Sequence, residues 1–451
     1  MVLWLSKREE SFMRSSSVPE ERIAHRPFSA LPALVCAATL LWAAPAAVVG
    51  SERLSRREAI AEALARNPAL QASREQVAQA RARVSEAKAL PDPFFAATLD
   101  DEESLLKPRG AASKQAGLGF TLPFPTKLRL AGRVATADLR AAEFSLTQLS
   151  NETAAQTAQA YDALLVAERH RQDLTAGRGF AEDFLKKTEA RFQAGTVAKL
   201  DVIKAKVDLA QAENALIANE RSTATARATL NKMLGRKPGA PIESTDDLTD
   251  VPPPLADLES LVALAATSRP ETQSVAAQRQ GAHDATRLAR QFWVPDLNLT
   301  LSRNYTRGGD PNTFSTDLSF SLPLFFWQHQ KGAIAEARHR EAELEATSRD
   351  TAAQVELDLR SSYASADTAR RQALYIRDAL LPEAEEAYRI ASVNYSLGGT
   401  SALELLDAKR TLLDAKSQYT DALGAANDAL ADLERAVGAP LLPGPVGVSQ
   451  P

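Results

Sequence analysis

The chain has 451 residues, 53 Lys and Arg against 57 Asp and Glu, and a formal net charge of −4 at pH 7. This near balance lacks the basic excess or stripe of a nucleic-acid binder, so no nucleic-acid partner is expected. Aromatics are sparse at 6%, and Ala, Leu, Glu, Gln, Lys and Arg fill most of the middle of the chain, a composition that favours helix.

Residues 1–50 read as an export signal. Arg14, Arg22 and Arg26 precede an apolar stretch from Phe28 to Val49, and Ala44-Pro45-Ala46 supplies the small residues of a cleavage site, with Gly50 as a second candidate. Met13 is a second candidate start. Cleavage would remove Cys36, the single cysteine, and with it any disulfide or thiolate metal site. The alternatives are an uncleaved anchor and a lipoprotein, for which Ala33-Leu34-Val35-Cys36 is a poor lipidation box. No later stretch is apolar enough for a membrane helix. An exported chain of this kind is periplasmic, secreted or a β-barrel.

After the signal the chain says the same thing twice, at a spacing of roughly 200 residues. Ala65-Arg66-Asn67-Pro68 answers to Thr267-Ser268-Arg269-Pro270, and Leu90-Pro91-Asp92-Pro93 to Val294-Pro295-Asp296-Leu297. Phe120-Thr121-Leu122-Pro123 answers to Phe320-Ser321-Leu322-Pro323, and Arg191-Phe192-Gln193-Ala194-Gly195 to Asn394-Tyr395-Ser396-Leu397-Gly398. The matches keep their order, which implies a duplicated domain. A first repeat over 51–236 is expected to hold two short helices, strands at about 93–101 and 116–124, a long helix over 127–193 and a helix over 199–234. A linker follows at 237–254, where Pro238, Pro241, Pro252, Pro253 and Pro254 break any helix. A second repeat over 255–438 is expected to hold strands at about 295–307 and 313–325, a long helix over 328–396 interrupted at Pro382, and a helix over 401–437. Residues 439–451 form a tail.

The strand segments have a period of two. Leu118, Phe120 and Leu122 alternate with Gly117, Gly119 and Thr121, and Leu297, Leu299 and Leu301 alternate with Asn298, Thr300 and Ser302. Leu318, Phe320 and Leu322 do the same against Asp317, Ser319 and Ser321. The greasy face meets either a core or lipid, with the polar face lining a wet lumen; small residues such as Gly117 and Gly119 suggest an open interior. Phe94, Phe95, Phe124, Phe292, Trp293, Phe325, Phe326 and Trp327 all fall where strands meet helices, as an interfacial aromatic girdle would. The longer helix, 127–193, would span roughly 100 Å at ~1.5 Å per residue. In the last helix Tyr419, Leu423, Ala426, Leu430, Leu433 and Val437 step by four and three, a coiled-coil seam.

Four strands cannot close a barrel, and lipid tolerates no open edge. The smallest membrane barrels have about eight strands, so copies must pool strands. Two copies give eight and three give twelve; the count alone does not choose.

The run Tyr395-Ser396-Leu397-Gly398-Gly399-Thr400-Ser401-Ala402-Leu403-Glu404-Leu405-Leu406-Asp407-Ala408 resembles the periplasmic-tip signature of TolC-like outer-membrane efflux proteins, with a weaker copy from Phe192 and Gly195 to Asp201 and Ala205. The resemblance covers nearly the whole mature chain. It implies a mainly α fold with a membrane β-barrel portion: a homotrimer with four strands per chain in a twelve-stranded barrel, continued by a long coiled-coil α-barrel with an equatorial girdle of shorter elements. It also implies outer-membrane lipid around the barrel and two partners, a periplasmic adaptor and an inner-membrane pump. By position Glu404 and Asp407, and in the first repeat Asp201 and Lys204, are the aperture candidates. Lys204 stands where the second repeat has Asp407, and is expected to pair with a carboxylate of a neighbouring helix. Phe192, Gly195, Tyr395, Gly398 and Gly399 are the turn and adaptor-docking candidates, the glycines as left-handed turn formers. Phe120 to Arg133 together with Leu90-Pro-Asp-Pro93 is similar to the heavy-metal cation branch; organic cargo and type I protein secretion are the alternatives within the family.

Ser401 and Glu404 also form a capping-box pattern, so Glu404 has a purely structural reading as well. No phosphate-binding loop, nucleophile elbow or paired-cysteine or His-Glu-x-x-His metal motif occurs. No enzyme activity, cofactor or resident metal is therefore expected, and any cation selectivity would belong to the pump. The competing class is a soluble periplasmic coiled-coil protein whose strands form a small capping sheet.

Overall fold

The structure, a computed structural model, describes residues 52–100, 113–248, 251–306, 309, 313–320 and 326–441. The expected signal segment with Cys36, most of both hairpin loops, Phe325 and the tail from 442 onward lie outside these residues.

Each repeat opens with a pair of capped helices. α1 (Arg56–Arg66) starts at Ser55, whose side chain accepts from the Glu58 amide while the Glu58 carboxylate accepts from the Ser55 amide. α2 (Pro68–Lys88) begins at once, because Pro68 cannot donate and therefore sits at a helix start, with Asn67 as its cap. The second repeat solves the same problem with α5 (Leu258–Ser268), capped by Asp257, and α6 (Pro270–Ala289), opened by Pro270.

The strands follow. β2 (Phe94–Asp100) and β3 (Ser113–Leu122) form one hairpin, β5 (Leu297–Thr306) and β6 (Thr313–Phe320) the other. All pairs are antiparallel, in the order β2-β3-β5-β6. The repeats therefore join through β3 and β5, from Ser113 opposite Thr306 to Leu122 opposite Leu297. β2 and β6 are open edges.

The long helices are α3 (Pro125–Gln193), 69 residues and about 100 Å at ~1.5 Å per residue, and α7 (Phe326–Tyr375) continued by α8 (Leu381–Leu397). Between α7 and α8 lies a π-helical turn, Ile376–Leu380. It precedes Pro382, whose ring and missing N–H disrupt an α-helical ladder; the wider turn absorbs the conflict without ending the helix. α4 (Lys199–Met233) and α9 (Ala402–Val437) return along them. α3 packs on α2, α4, α6 and α9, and α9 packs on α3, α7 and α8. In α9 the stepped residues Leu423, Ala426, Leu430, Leu433 and Val437 are all buried, and Tyr419 is partly buried.

The stretch 237–254, expected as a linker, carries a further strand. β4 (Ile242–Ser244) pairs in parallel with β1 (Glu52–Leu54). Three residues are too few to display a period, and the partner lies at the other end of the repeat. Leu54 and Ile242 are buried beside Tyr161, Leu164, Leu230 and Leu234, and the Tyr161 hydroxyl donates to the Leu54 carbonyl at 2.8 Å. A second core joins α5, α7 and the end of α9 around Leu261, Leu359 and Leu433.

Candidate functional site

The two ends of the repeats carry the features a conduit needs. At one end is the sheet. Register places Leu118, Leu301 and Thr316 in one row and Gly117, Ser302 and Ser315 in the next, so the faces segregate. The first face is bare: Phe95 is 71% exposed, Leu318 63% and Leu301 48%. No helix covers it. The opposite face is polar, with Ser302 and Ser315 hydroxyls 2.7 Å apart and the Thr121 hydroxyl donating to Asn298 at 2.9 Å.

The aromatic residues at the helix end divide between these faces. Phe95, Phe124 and Trp293 are exposed; Phe292 is partly buried. Phe326 and Trp327 open α7. Phe94 departs from the expected lipid-facing girdle. It pairs with Gly119, and a Cβ placed on Gly119 would fall 2.2 Å from the Phe94 ring. The ring thus lies on the polar side of the sheet. The ring covers Gly119, which gives this glycine a packing reason beside its place on the polar face. At the far end Tyr305 and Phe314, both exposed, flank the Arg303 guanidinium, which sits 5.0 Å from the Tyr305 ring centroid and 6.0 Å from that of Phe314. Sequence inspection overlooked this second aromatic pair, although both residues fall in the period-two pattern.

The strand–helix corner is tied by Asp296, which accepts from Lys127 Nζ at 2.9 Å and from the Phe124 amide at 3.4 Å. The Pro-Asp element that recurs in both repeats thus clamps the start of β5 in one repeat to the start of α3 in the other.

At the opposite end are two helix–helix turns. Gly195 has φ +74° and Gly398 φ +82°. At the first turn the Thr196 amide donates to Arg191 and the Gly195 amide to Phe192; at the second the Gly399 amide donates to Asn394 and the Gly398 amide to Tyr395. This double bond pattern ends both helices alike, and it requires a left-handed residue at the glycine. The two turns are held together through Tyr395. Its ring packs 5.4 Å from Phe184 and beneath the Arg191 guanidinium, 4.8 Å away. Its hydroxyl lies 3.0 Å from Thr188 Oγ1, and its carbonyl accepts from Arg191 at 2.8 Å. Tyr395 is 2% exposed, so it is a packing residue of the tip rather than a contact for a docking protein. Phe192 and both glycines face solvent or its margin, as do Leu397 and Leu403.

The four aperture candidates are spread over both turns. Asp201 opens α4 and is partly buried, as is Lys204. Among the described residues no intrachain ion pair involves Lys204. The inter-repeat ion pair at this end joins Lys409 and Asp208 instead, at 2.6 Å. Lys409 is 5% exposed. Glu404 and Asp407 are exposed on α9. Glu404 completes the capping box with Ser401, accepting from its amide at 3.1 Å, so its structural use is present whatever else it does.

Between the two ends lies a buried set of charges. Asp162 is 2% exposed and takes a fork of bonds from Arg56, at 3.0 to 3.2 Å. Burial pushes its carboxyl above the usual range, against the pull of Arg56. Asp428 on α9 stands nearby without a hydrogen-bond partner for Oδ1. Burial, and then the charges of Asp162 and Asp432, push it up to about 6. Among the described residues no group of three or more His, Cys, Asp or Glu could hold a metal ion, and no helix is long and apolar enough to cross a membrane.

Comparison with known proteins places this geometry. The chain is similar to the cobalt-zinc-cadmium resistance protein CzcC of Cupriavidus metallidurans, 24% identical over 366 residues that cover 80% of this chain and 84% of that protein. The outer-membrane channel OprN superposes with a TM-score of 0.73 at 18% identity, over 85% of this chain and 90% of that one. The open state of the Neisseria gonorrhoeae MtrE outer membrane channel gives 0.71 at 20%, over 86% and 89%. The family model for outer membrane efflux proteins matches residues 59–236 and 261–439, one match per repeat. The chain belongs to the outer membrane efflux protein family: it is an efflux channel of the outer membrane with a periplasmic helical tunnel, not an enzyme.

Proposed function

We propose that three copies of this chain form a passive export conduit, a homotrimer with a twelve-stranded barrel in outer-membrane lipid, which receives cargo from an inner-membrane pump through a periplasmic adaptor. One observation carries the reading: a four-stranded sheet with an uncovered apolar face and an open edge at each side. Lipid satisfies the face, and neighbouring copies satisfy the edges. The exposed apolar residues at the tip, Phe192, Leu397 and Leu403, and the turns at Gly195, Gly398 and Gly399 offer the adaptor a docking surface. Asp407 and Glu404, together with Asp201 and Lys204 of the first repeat, recur around the axis and narrow the mouth. Like carboxylates in a ring repel one another and attract cations.

The cargo is a heavy-metal cation. Similarity to CzcC supports this, and a carboxylate-lined mouth suits a cation. The test is a deletion strain complemented with the gene and challenged with cobalt, zinc and cadmium salts and with organic toxins. Metal resistance restored by the gene is expected; resistance restored to organic compounds alone would overturn the cargo. Outer-membrane fractionation with heat-modifiable trimer migration tests the conduit itself; a water-soluble monomer would overturn it.

A further inference from the structure

The outward face of the sheet carries a charge pattern that a plain lipid wall does not explain. Register puts Phe95, Leu118, Leu301 and Leu318 on the same face as Lys114, Arg303, Tyr305 and Phe314. Among the described strand residues on that face, Lys114 and Arg303 are the charged ones; the strand aspartates Asp100 and Asp317 stand in rows of the other face. Both cations lie at the end away from the helices. Lys114 is opposite Tyr305 and Arg303 is opposite Ala116, so the two are diagonal neighbours, about 7–8 Å apart at their Cα atoms.

Their depth can be estimated. From Leu297 to Tyr305 the strand advances about 27 Å at ~3.4 Å per residue. At a tilt of about 40° that is about 20 Å along the membrane normal, close to the ~25 Å apolar band of such barrels. Lys114, opposite Tyr305, therefore stands near the far membrane interface, and Arg303, two residues back along the strand and about 5 Å deeper, reaches toward it with its long side chain. The Tyr305 and Phe314 rings stand beside the guanidinium, 5.0 and 6.0 Å from it. A planar fork beside an ammonium matches the oxygens of a phosphate, and the aromatic rims fit the acyl–headgroup boundary.

Resting on the barrel reading above, we propose that Lys114 and Arg303, framed by Tyr305 and Phe314, form a binding site for the phosphate of an outer-leaflet lipid headgroup, one site per copy of the chain. The occupant is a lipid rather than a soluble anion because the site is on the lipid face and is continuous with the apolar wall through Leu301 and Leu318.

The test uses the full mature protein in phosphatidylcholine vesicles, with and without bis-phosphorylated lipid A, and follows the midpoint of heat dissociation of the oligomer. The wild type should gain several degrees with lipid A. Arg303→Gln combined with Lys114→Gln should lose most of that gain while floating with the vesicles as fully as the wild type. Arg303→Lys, which keeps the charge but not the fork, should retain part of it, and serves if the double variant assembles poorly. A wild type unmoved by lipid A, an equal gain in the double variant, or the same gain from inorganic phosphate over plain phosphatidylcholine would each overturn the site. Failure of every form to enter vesicles would instead overturn the barrel reading on which the site rests.

Discussion

Lys409 donates to Asp208 at 2.6 Å across the two repeats, from a side chain that is only 6% exposed. α4 and α9 both descend to the tip, and this pair locks them two turns or so from their N-termini. Asp208 keeps 21% exposure, so solvent softens the cost of orphaning it. Lys409→Met should destabilise the tip by about 3 kcal/mol, the lower end for breaking a buried pair. Amide hydrogen exchange over residues 402–412 should speed up while the exchange in α1 and α3 near Tyr161 stays unchanged. A uniform change along the whole chain would contradict the local role.

Asp428 gives a pH dependence whose sign is fixed. Its carboxyl, raised to about 6, lies above the ordinary value of about 4. Between those two values the folded chain holds a proton that the unfolded chain has released. Stability therefore falls as pH rises through that window and stays lower above it. Asp428→Asn should raise stability by about 1–2 kcal/mol at pH 8, discounted for partial exposure, and by nothing at pH 4. Denaturation at the two pH values checks it; a gain of equal size at both would show a packing effect instead.

The contact between Phe94 and Gly119 makes the sheet's inner face sensitive to one methyl group. A Cβ at Gly119 would fall 2.2 Å from the ring, and the ring covers backbone that the glycine leaves bare. Gly119→Val should expel the ring and weaken pairing of β2, an edge strand. Less of the protein should migrate as the heat-modifiable oligomer, and Phe94→Ala in the same chain should restore part of it. Full assembly of Gly119→Val alone would reject the packing role.

What could be read from the chain follows from what the period of a segment reports. The greasy rows of β3, β5 and β6 and the stepped apolar residues of α9 repeat over many residues, so burial or lipid contact leaves a mark on each. The Ser401–Glu404 box and the glycine turns are local rules and were legible for that reason. Features made by meetings far apart in sequence were not. β1 and β4 are three residues each, and their pairing depends on a partner about 190 positions away. Lys204 was a reasonable partner for a carboxylate by position, but the burial that makes a pair necessary falls on Lys409, two residues past Asp407. Phe94 and Phe95 are adjacent, and a strand sends neighbours to opposite faces; that rule alone separates them, once the strand is taken to begin at Phe94.

Glu404 and Asp407 can be told apart by charge and cap. Glu404 accepts from the Ser401 amide, and glutamine can fill the same place in a capping box. Glu404→Gln therefore removes charge from the mouth and keeps the helix start, whereas Glu404→Ala removes both and should cost about 1 kcal/mol of stability. Asp407 makes no side-chain bond within the described residues, so Asp407→Asn removes charge with little structural cost. If carboxylates constrict the mouth, Asp407→Asn and Glu404→Gln should each raise single-channel conductance in planar bilayers and weaken cation preference, and the two together should do more. Conductance that rises only in Glu404→Ala would place the effect in the loosened helix start, and the ring of charge would have no part in closing the channel.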